Sequence, residues 1–136
     1  SAKEQQVDHA QFRGRGESIL IVDDLKDQRD IAVSILASLG YSVMSVDSGL
    51  AAVEWLKEHP VDLVLLDMIM EPGLNGLETY QRILAIRPGQ RAIVVSGYAE
   101  TDDVKEALAL GAGICVKKPY LLDRLALAVR QELDRS

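Results

Sequence analysis

Reactive side chains stand at the carboxyl ends of four of the five apolar stretches in this sequence: Asp23 with Asp24, Asp67, Ser96, and Lys117 with Lys118. Carboxylates bind a hard cation, and a hydroxyl and an ammonium group bind phosphoryl oxygens. A set made only of oxygen ligands favours Mg²⁺ over zinc or copper. The residue types therefore indicate a site that handles phosphate with the help of a metal ion.

Three carboxylates brought to one place need a counter-charge. Two like charges about 4 Å apart repel by roughly 4 kcal/mol at an effective dielectric constant of about 20. A cation, a proton or a lysine must therefore accompany the cluster. Mg²⁺ binds through one or two carboxylates, keeps several waters and shares a phosphate of the substrate. His9 and His59 are poor metal ligands, because one lies in a polar tail and the other in a helix-ending turn before Pro60.

Each reactive residue also has an ordinary structural interpretation. Two acids after a strand are common helix caps, and an acid or Ser96-Gly97 can simply form a turn. Lys117 and Lys118 can be a solvated pair before a proline. Their joint placement at the ends of four strands is what favours a shared site.

The elements that position these residues alternate along the chain. Continuous or alternating apolar runs predict strands at 18–22, 41–46, 61–66, 91–96 and 113–117. Helical spacing predicts helices at 26–39, between Ser48 and His59, at 77–86, 101–110 and 121–134. This alternation predicts an α/β fold, a doubly wound five-stranded parallel sheet with helices on both faces. Sites in such sheets lie beyond the carboxyl ends of the strands.

Composition excludes several classes of protein. The chain has 136 residues, 48% hydrophobic and 26% charged, which predicts one globular domain. A net charge of −6 without a basic stripe argues against nucleic-acid binding. Cys115 is the only cysteine, so an internal disulfide is excluded and a reducing cytoplasm fits. We expect no membrane span, no signal peptide and no direct membrane contact, and we interpret residues 1–17 as a linker or disordered tail before a domain at 18–136.

From residue 18 to about 134 the sequence resembles the receiver domain of two-component signalling. The matching segments are ILIVDD (19–24), LVLLDMIM (63–70), Pro72 with Gly76, VVSGYA (94–99) and GAGICVKKP (111–119). The resemblance implies a flavodoxin-like fold with the strand order 2-1-3-4-5. It also implies transfer of a phosphoryl group from a phosphohistidine on a histidine kinase or a histidine phosphotransfer domain.

The resemblance also implies a role for each site residue. Asp67 would accept the phosphoryl group, and Ser96 and Lys118 would contact it. Mg²⁺ would be held by Asp23, Asp24 and the backbone carbonyl of Ile69. The domain would then catalyse its own phosphorylation, and hydrolysis of the acyl phosphate would reset it.

Two departures from the family pattern concern how the phosphorylated state is read out. Glu71 looks like a one-residue insertion before Pro72, where the family usually places proline straight after methionine. Cys115 occupies the position at which many members carry a rotating Tyr or Phe. The expected switch residues are therefore Ser96, Tyr98 and Cys115, although Tyr98 can equally be an ordinary surface aromatic.

Several contexts for the domain remain open. The segment GRGESILIVDD resembles the junction between a histidine-kinase domain and a C-terminal receiver, so we favour a piece of a hybrid histidine kinase over a stand-alone regulator. A phosphatase of the haloacid-dehalogenase type would need a second acid at position 69, which is isoleucine. A module that binds FMN would need a Ser/Thr/Gly-rich loop in place of Asp23-Asp24. Leu121 and Leu127 suggest a weak homodimer through the fourth helix, fifth strand and fifth helix.

Overall fold

The computed structural model describes residues 12–97 and 101–135, which form five strands and five helices in strict alternation. The strands are β1 Ser18–Val22, β2 Ser42–Val46, β3 Leu63–Asp67, β4 Ala92–Ser96 and β5 Ile114–Lys117. The helices are α1 Lys26–Ser38, α2 Gly49–Glu58, α3 Gly76–Ile86, α4 Asp102–Ala109 and α5 Leu122–Asp134.

All four strand pairs are parallel, and the strands lie in the order β2-β1-β3-β4-β5. Val22 at the end of β1 is in register with Leu66, and Asp67 is in register with Val95. The carboxyl ends of the central strands therefore meet at one edge of the sheet. The predicted doubly wound fold and its strand order are confirmed.

The sheet separates two apolar cores. Ile19 and Ile21 face the core formed with α1 and α5, whereas Leu20 and Val22 face the core formed with α2, α3 and α4. Each of these four side chains is at most 1% exposed. Burial of one such aliphatic side chain stabilises a fold by about 1.5–3 kcal/mol. The two-sided burial explains why β1, β3 and β4 are continuous apolar runs in the sequence rather than alternating ones.

The third strand is shifted toward its carboxyl end relative to the prediction. It begins at Leu63 rather than at residue 61, because the Asp62 carboxylate turns to the start of β1. Asp62 Oδ2 accepts hydrogen bonds from the Ser18 amide at 2.8 Å and from the Ser18 hydroxyl at 3.1 Å. Asp67 is thus the last residue of the strand itself, which fixes its backbone through the sheet.

Side-chain caps explain where two helices begin. The predicted cap Ser48 is confirmed, since its hydroxyl accepts from the Ala51 amide at 3.1 Å at the start of α2. The capping box of α3, in which Asn75 and Glu78 each accept from the other's amide, starts that helix at Gly76. None of the helices in the described ranges is both long enough and apolar enough to cross a membrane.

The residues just before β1 lie against the domain. The Gly14 amide donates to the Leu39 carbonyl at 2.7 Å, and the Gly16 amide donates to the Gly40 carbonyl at 3.0 Å. Phe12 packs against the core of α1 and α5. Residues 12–17 therefore follow a fixed path, and the domain boundary at residue 18 stays a prediction.

Candidate functional site

Three carboxylates converge at the carboxyl edge of the sheet. Asp23 and Asp24 follow β1 and Asp67 ends β3, and one oxygen from each lies within 4.8 Å of the others. Asp23 is 1% exposed and Asp67 is 5% exposed, while Asp24 is half-buried. The cluster expected from the sequence is therefore present, with two of its three acids in the protein interior.

Lys118 supplies the counter-charge that the cluster needs. Its Nζ lies 2.9 Å from Asp23 Oδ2 and 3.1 Å from Asp67 Oδ2. The lysine reaches the site because β5 ends beside β4, where the Lys118 amide donates to the Ser96 carbonyl at 3.0 Å. One ammonium group thus bridges acids carried by two different strands.

Backbone amides hold the other oxygen of each buried acid. The Leu25 amide donates to Asp23 Oδ1 at 2.9 Å, and the Ile69 amide donates to Asp67 Oδ1 at 3.2 Å. Each carboxylate is thereby oriented with its Oδ2 toward Lys118. Asp23 Oδ2 is shielded from solvent and has no hydrogen bond of good geometry among the described residues, although the ammonium group is near. A buried oxygen in this state is suited to a bound cation.

Burial and charge act against each other in this cluster. Burial raises the pKa of Asp67; Lys118 and the Ile69 amide offset part of this rise, and the Asp23 carboxylate adds to it. Burial lowers the pKa of Lys118, but its contacts with Asp23 and Asp67 outweigh this effect and hold the pKa above its ordinary value. Lys118 is therefore charged at neutral pH, as a group that stabilises anions must be.

An open cavity of about 340 Å³ leads to the acceptor. It is lined by Leu25, Asp67, Ile69, Gly97 and Lys118. Leu25 and Ile69 are large apolar side chains that are 55% and 50% exposed. A Cβ atom at Gly97 would meet no heavy atom within 4 Å, so this position borders open space. A small anion can approach Asp67 from this side.

The loop behind the acceptor is tightly packed. The Gly76 amide donates to the Met68 carbonyl at 3.1 Å. A Cβ atom at Gly76 would lie only 2.5 Å from the Asp67 carbonyl oxygen and from Met68 Cα. Only glycine allows α3 to begin this close to the strand end, so the fold holds the acceptor rigidly from behind.

The remaining predicted residues are placed as follows. Ser96 is 2% exposed at the end of β4, and Cys115 lies half-buried on β5 in register with Val94. Tyr98 lies outside the described residues. The role of the Ile69 backbone carbonyl as a metal ligand stays a prediction.

Two residues near the site, Arg29 and Tyr120, were not predicted from the sequence. Arg29 Nη1 donates to the Asp23 carbonyl at 2.9 Å and so braces the turn that carries the acids. The indication of this contact in the sequence was the position of Arg29, one turn into α1. Tyr120 is half-buried, and burial together with the charges of Asp23 and Asp67 raises the pKa of its phenol. Its position after Lys118-Pro119 gave no hint of this.

Comparison with known proteins agrees with this geometry. A family model described as response regulator receiver domain matches residues 19–130. Sporulation initiation phosphotransferase F of Bacillus subtilis (strain 168) is 35% identical over 117 residues, covering 86% of this chain and 94% of that protein. The sensor kinase CckA of Brucella abortus (strain 2308) is 31% identical over 137 residues, covering 99% of this chain and 14% of that protein.

Solved structures give the same answer. The crystal structure of a CheY-like response regulator receiver domain protein from Methanospirillum hungatei JF-1 superposes with a TM-score of 0.81 at 28% identity, covering 88% of this chain and 94% of that one. The family match spans all five strands and the acidic cluster with its lysine. This chain belongs to the response regulator receiver domains of two-component signalling.

Proposed function

We propose that Asp67 accepts a phosphoryl group from a phosphohistidine in a reaction that depends on Mg²⁺. The observation that carries this proposal is the contact of Lys118 Nζ with Asp67 Oδ2 at 3.1 Å and with Asp23 Oδ2 at 2.9 Å, beside an open cavity. A buried carboxylate next to a lysine and two further acids is a nucleophile with its charge stabilisation already in place. Asp67 sits on a strand end and is thereby preorganised.

In the proposed step, an Asp67 oxygen forms a bond to phosphorus as the bond between phosphorus and the histidine nitrogen breaks. The electron pair of the broken bond stays on the imidazole, and the product on Asp67 is an acyl phosphate. Lys118 neutralises phosphoryl oxygens, and Ser96 hydrogen-bonds to one of them. Attack of water on the phosphorus later breaks its bond to the Asp67 oxygen, which releases inorganic phosphate and restores the carboxylate. Positioning and charge supply most of the catalysis in such transfers.

The acids fit Mg²⁺ by their chemistry. Asp23, Asp24 and the carbonyl of Ile69 would hold the ion, which when bound supplies neutralisation of the phosphoryl charge. The buried Asp23 Oδ2, which lacks a well-formed hydrogen bond among the described residues, supports this assignment. Ser96, Tyr98 and Cys115 stay the proposed switch residues.

A hybrid histidine kinase is the proposed context, with a histidine kinase or a histidine phosphotransfer domain as the partner. The similarity to the sensor kinase CckA covers 99% of this chain and therefore extends into the residues before β1. A stand-alone regulator is the alternative, and the reading frame upstream of residue 1 in the source genome distinguishes the two. Membership of the receiver family sets aside the haloacid-dehalogenase and FMN-binding alternatives.

Two further aspects of the proposal concern surroundings and assembly. We place the domain in the cytoplasm, where the thiol of Cys115, the one cysteine of the sequence, stays reduced, and we propose neither a nucleic-acid nor a membrane partner. A weak homodimer would use the face of α4, β5 and α5. Leu121 at the start of α5 and Leu127 within it are 51% and 40% exposed, and a cavity of about 420 Å³ lies between β5 and α5.

The test of the function is phosphorylation by acetyl phosphate with Mg²⁺, followed by intact-mass measurement. We expect one phosphoryl group on the wild type and none on Asp67→Asn. Asp47→Asn is the matched control, because Asp47 is an exposed acid at the carboxyl end of β2 and lies outside the cluster. Equal labelling of Asp67→Asn and the wild type would refute the assignment, and labelling that persists in excess EDTA would refute the role of Mg²⁺.

A further inference from the structure

Residues 12–17, here called the N-terminal strap, cross the amino-terminal edge of the sheet. Two of its amides, from Gly14 and Gly16, donate to carbonyls at the end of α1. The Glu17 carbonyl accepts from the Ser42 amide at 3.0 Å and so continues the pairing of β1 with β2. The strap therefore has a specific docking site made of the end of α1 and the start of β2.

Arg130 on α5 fastens the strap from the other side. Its guanidinium lies 2.7 Å from Glu17 Oε2 and 2.8 Å from Asp134 Oδ1. It also donates to the Tyr41 hydroxyl at 3.3 Å and to the Arg13 carbonyl at 3.4 Å. The Arg130 side chain is only 12% exposed, so one shielded cation on α5 joins the strap to Tyr41, the residue just before β2.

The strap and its site also fit in shape. A Cβ atom at Gly14 would lie 2.6 Å from the Tyr41 ring, so only glycine lets the backbone lie flat on that aromatic face. Tyr41 is 6% exposed under this cover. Phe12 adds an apolar contact with the core of α1 and α5. These contacts make the strap part of the folded domain.

The strap is nevertheless a thin layer. Arg13, Arg15 and Gly16 are exposed, and Phe12 contributes only a partly buried side chain to a core that is otherwise complete without it. Loss of the strap removes no strand or helix. Loss of the Arg130 contacts should therefore weaken the attachment of the strap more than it weakens the fold of the domain.

We propose that the strap is a releasable tether. The contacts of Arg130 with Glu17 and with the Arg13 carbonyl, here called the Arg130 clasp, hold residues 12–17 against α5 and can open while the domain stays folded. The occupant of this surface is thus a segment of the chain itself. When the clasp is closed, the strap and α5 move as one body. When it opens, the strap is connected to the domain only through the start of β1.

Limited trypsin digestion followed by mass spectrometry tests this proposal on the full chain, because Arg13 and Arg15 place cleavage sites inside the strap. We expect Arg130→Gln to speed cleavage at these sites by about tenfold or more, since it removes hydrogen bonds to charged groups. Arg124→Gln is the matched control: it removes an exposed arginine and one tryptic site from the same helix. Circular dichroism verifies that each variant is folded.

A second variant and a second measurement sharpen the outcome. Glu17→Gln weakens the clasp from the strap side and should also speed cleavage. Because Glu17 lies outside the two apolar cores, this change leaves the core packing intact. Equal cleavage rates in the wild type, Arg130→Gln and Glu17→Gln would overturn the proposal. It would also be overturned if urea accelerated wild-type cleavage at the strap as steeply as it promotes global unfolding, because the strap would then open only with the whole domain.

Discussion

Replacement of Lys118 by methionine should weaken the fold and at the same time strengthen Mg²⁺ binding. Methionine keeps most of the length of the side chain and removes its charge. Asp23 and Asp67 would then face each other without the ammonium group that now lies 2.9 and 3.1 Å from them. Stability should fall while Mg²⁺ affinity rises. This combination is specific to a lysine whose charge both stabilises the acids and repels the metal ion.

The size of each effect follows from the geometry. Loss of one partner of a buried ion pair lowers stability by about 3–5 kcal/mol. The lower end is expected here, since the Lys118 side chain is 17% exposed. A divalent ion and an ammonium group about 5 Å apart repel by about 1.7 kcal/mol even at the dielectric constant of water, about 80. Removal of the ammonium group should therefore lower the Kd for Mg²⁺ by at least about tenfold.

Isothermal titration calorimetry with MgCl₂ measures the affinity, and urea unfolding with and without Mg²⁺ measures the stability. Lys117→Met is the matched control, because Lys117 is the exposed preceding residue, at the end of β5. We expect the control to bind Mg²⁺ like the wild type, and the Lys118→Met variant to regain stability as Mg²⁺ is added. An unchanged or weaker affinity in Lys118→Met would show that the ammonium charge does not oppose Mg²⁺ binding at this cluster.

Two predictions concern other parts of the domain. The clasp lowers the pKa of Glu17, since hydrogen bonds from the Arg15 amide and Arg130 outweigh the effect of burial. Its stabilisation is therefore present above the ordinary pKa of glutamate and is lost as the pH falls through the lowered value. The difference in thermal stability between the wild type and Glu17→Gln should shrink in that pH range and vanish below it. Gly76→Ala should destabilise the domain by about 1–3 kcal/mol in urea, because its methyl group would overlap two backbone atoms, the Asp67 carbonyl oxygen and Met68 Cα, each 2.5 Å away. Gly97→Ala, which has open space, should change stability far less, and an equal loss in both variants would contradict the overlap.

The sequence predicted the fold and the composition of the acidic cluster well. Strands buried on both faces, such as β3, are continuous apolar runs. They can be recognised in a sequence even where their first and last residues cannot be placed. Parallel topology then brings strand ends together, so Asp23 and Asp67 could be expected to meet although 44 positions separate them in the chain. The family resemblance added the strand order and Lys118.

Contacts that depend on side-chain direction were not predictable in the same way. The shift of β3 to Leu63 reflects one carboxylate, Asp62, that turns to Ser18. The strap was expected to be a linker because its composition is polar and rich in glycine. Its attachment joins Arg13 to Arg130, which lie 117 positions apart and leave no periodic trace in the sequence. Such pairings become visible only in three dimensions.

A parallel sheet gives the domain two poles, and the strap lies at the opposite one from Asp67. A strand of five residues is about 17 Å long, so the full length of a strand separates the strap from the cavity above Asp67. The strap therefore lies far from the mouth of that cavity. It can be held or released without obstructing the approach of an anion to Asp67.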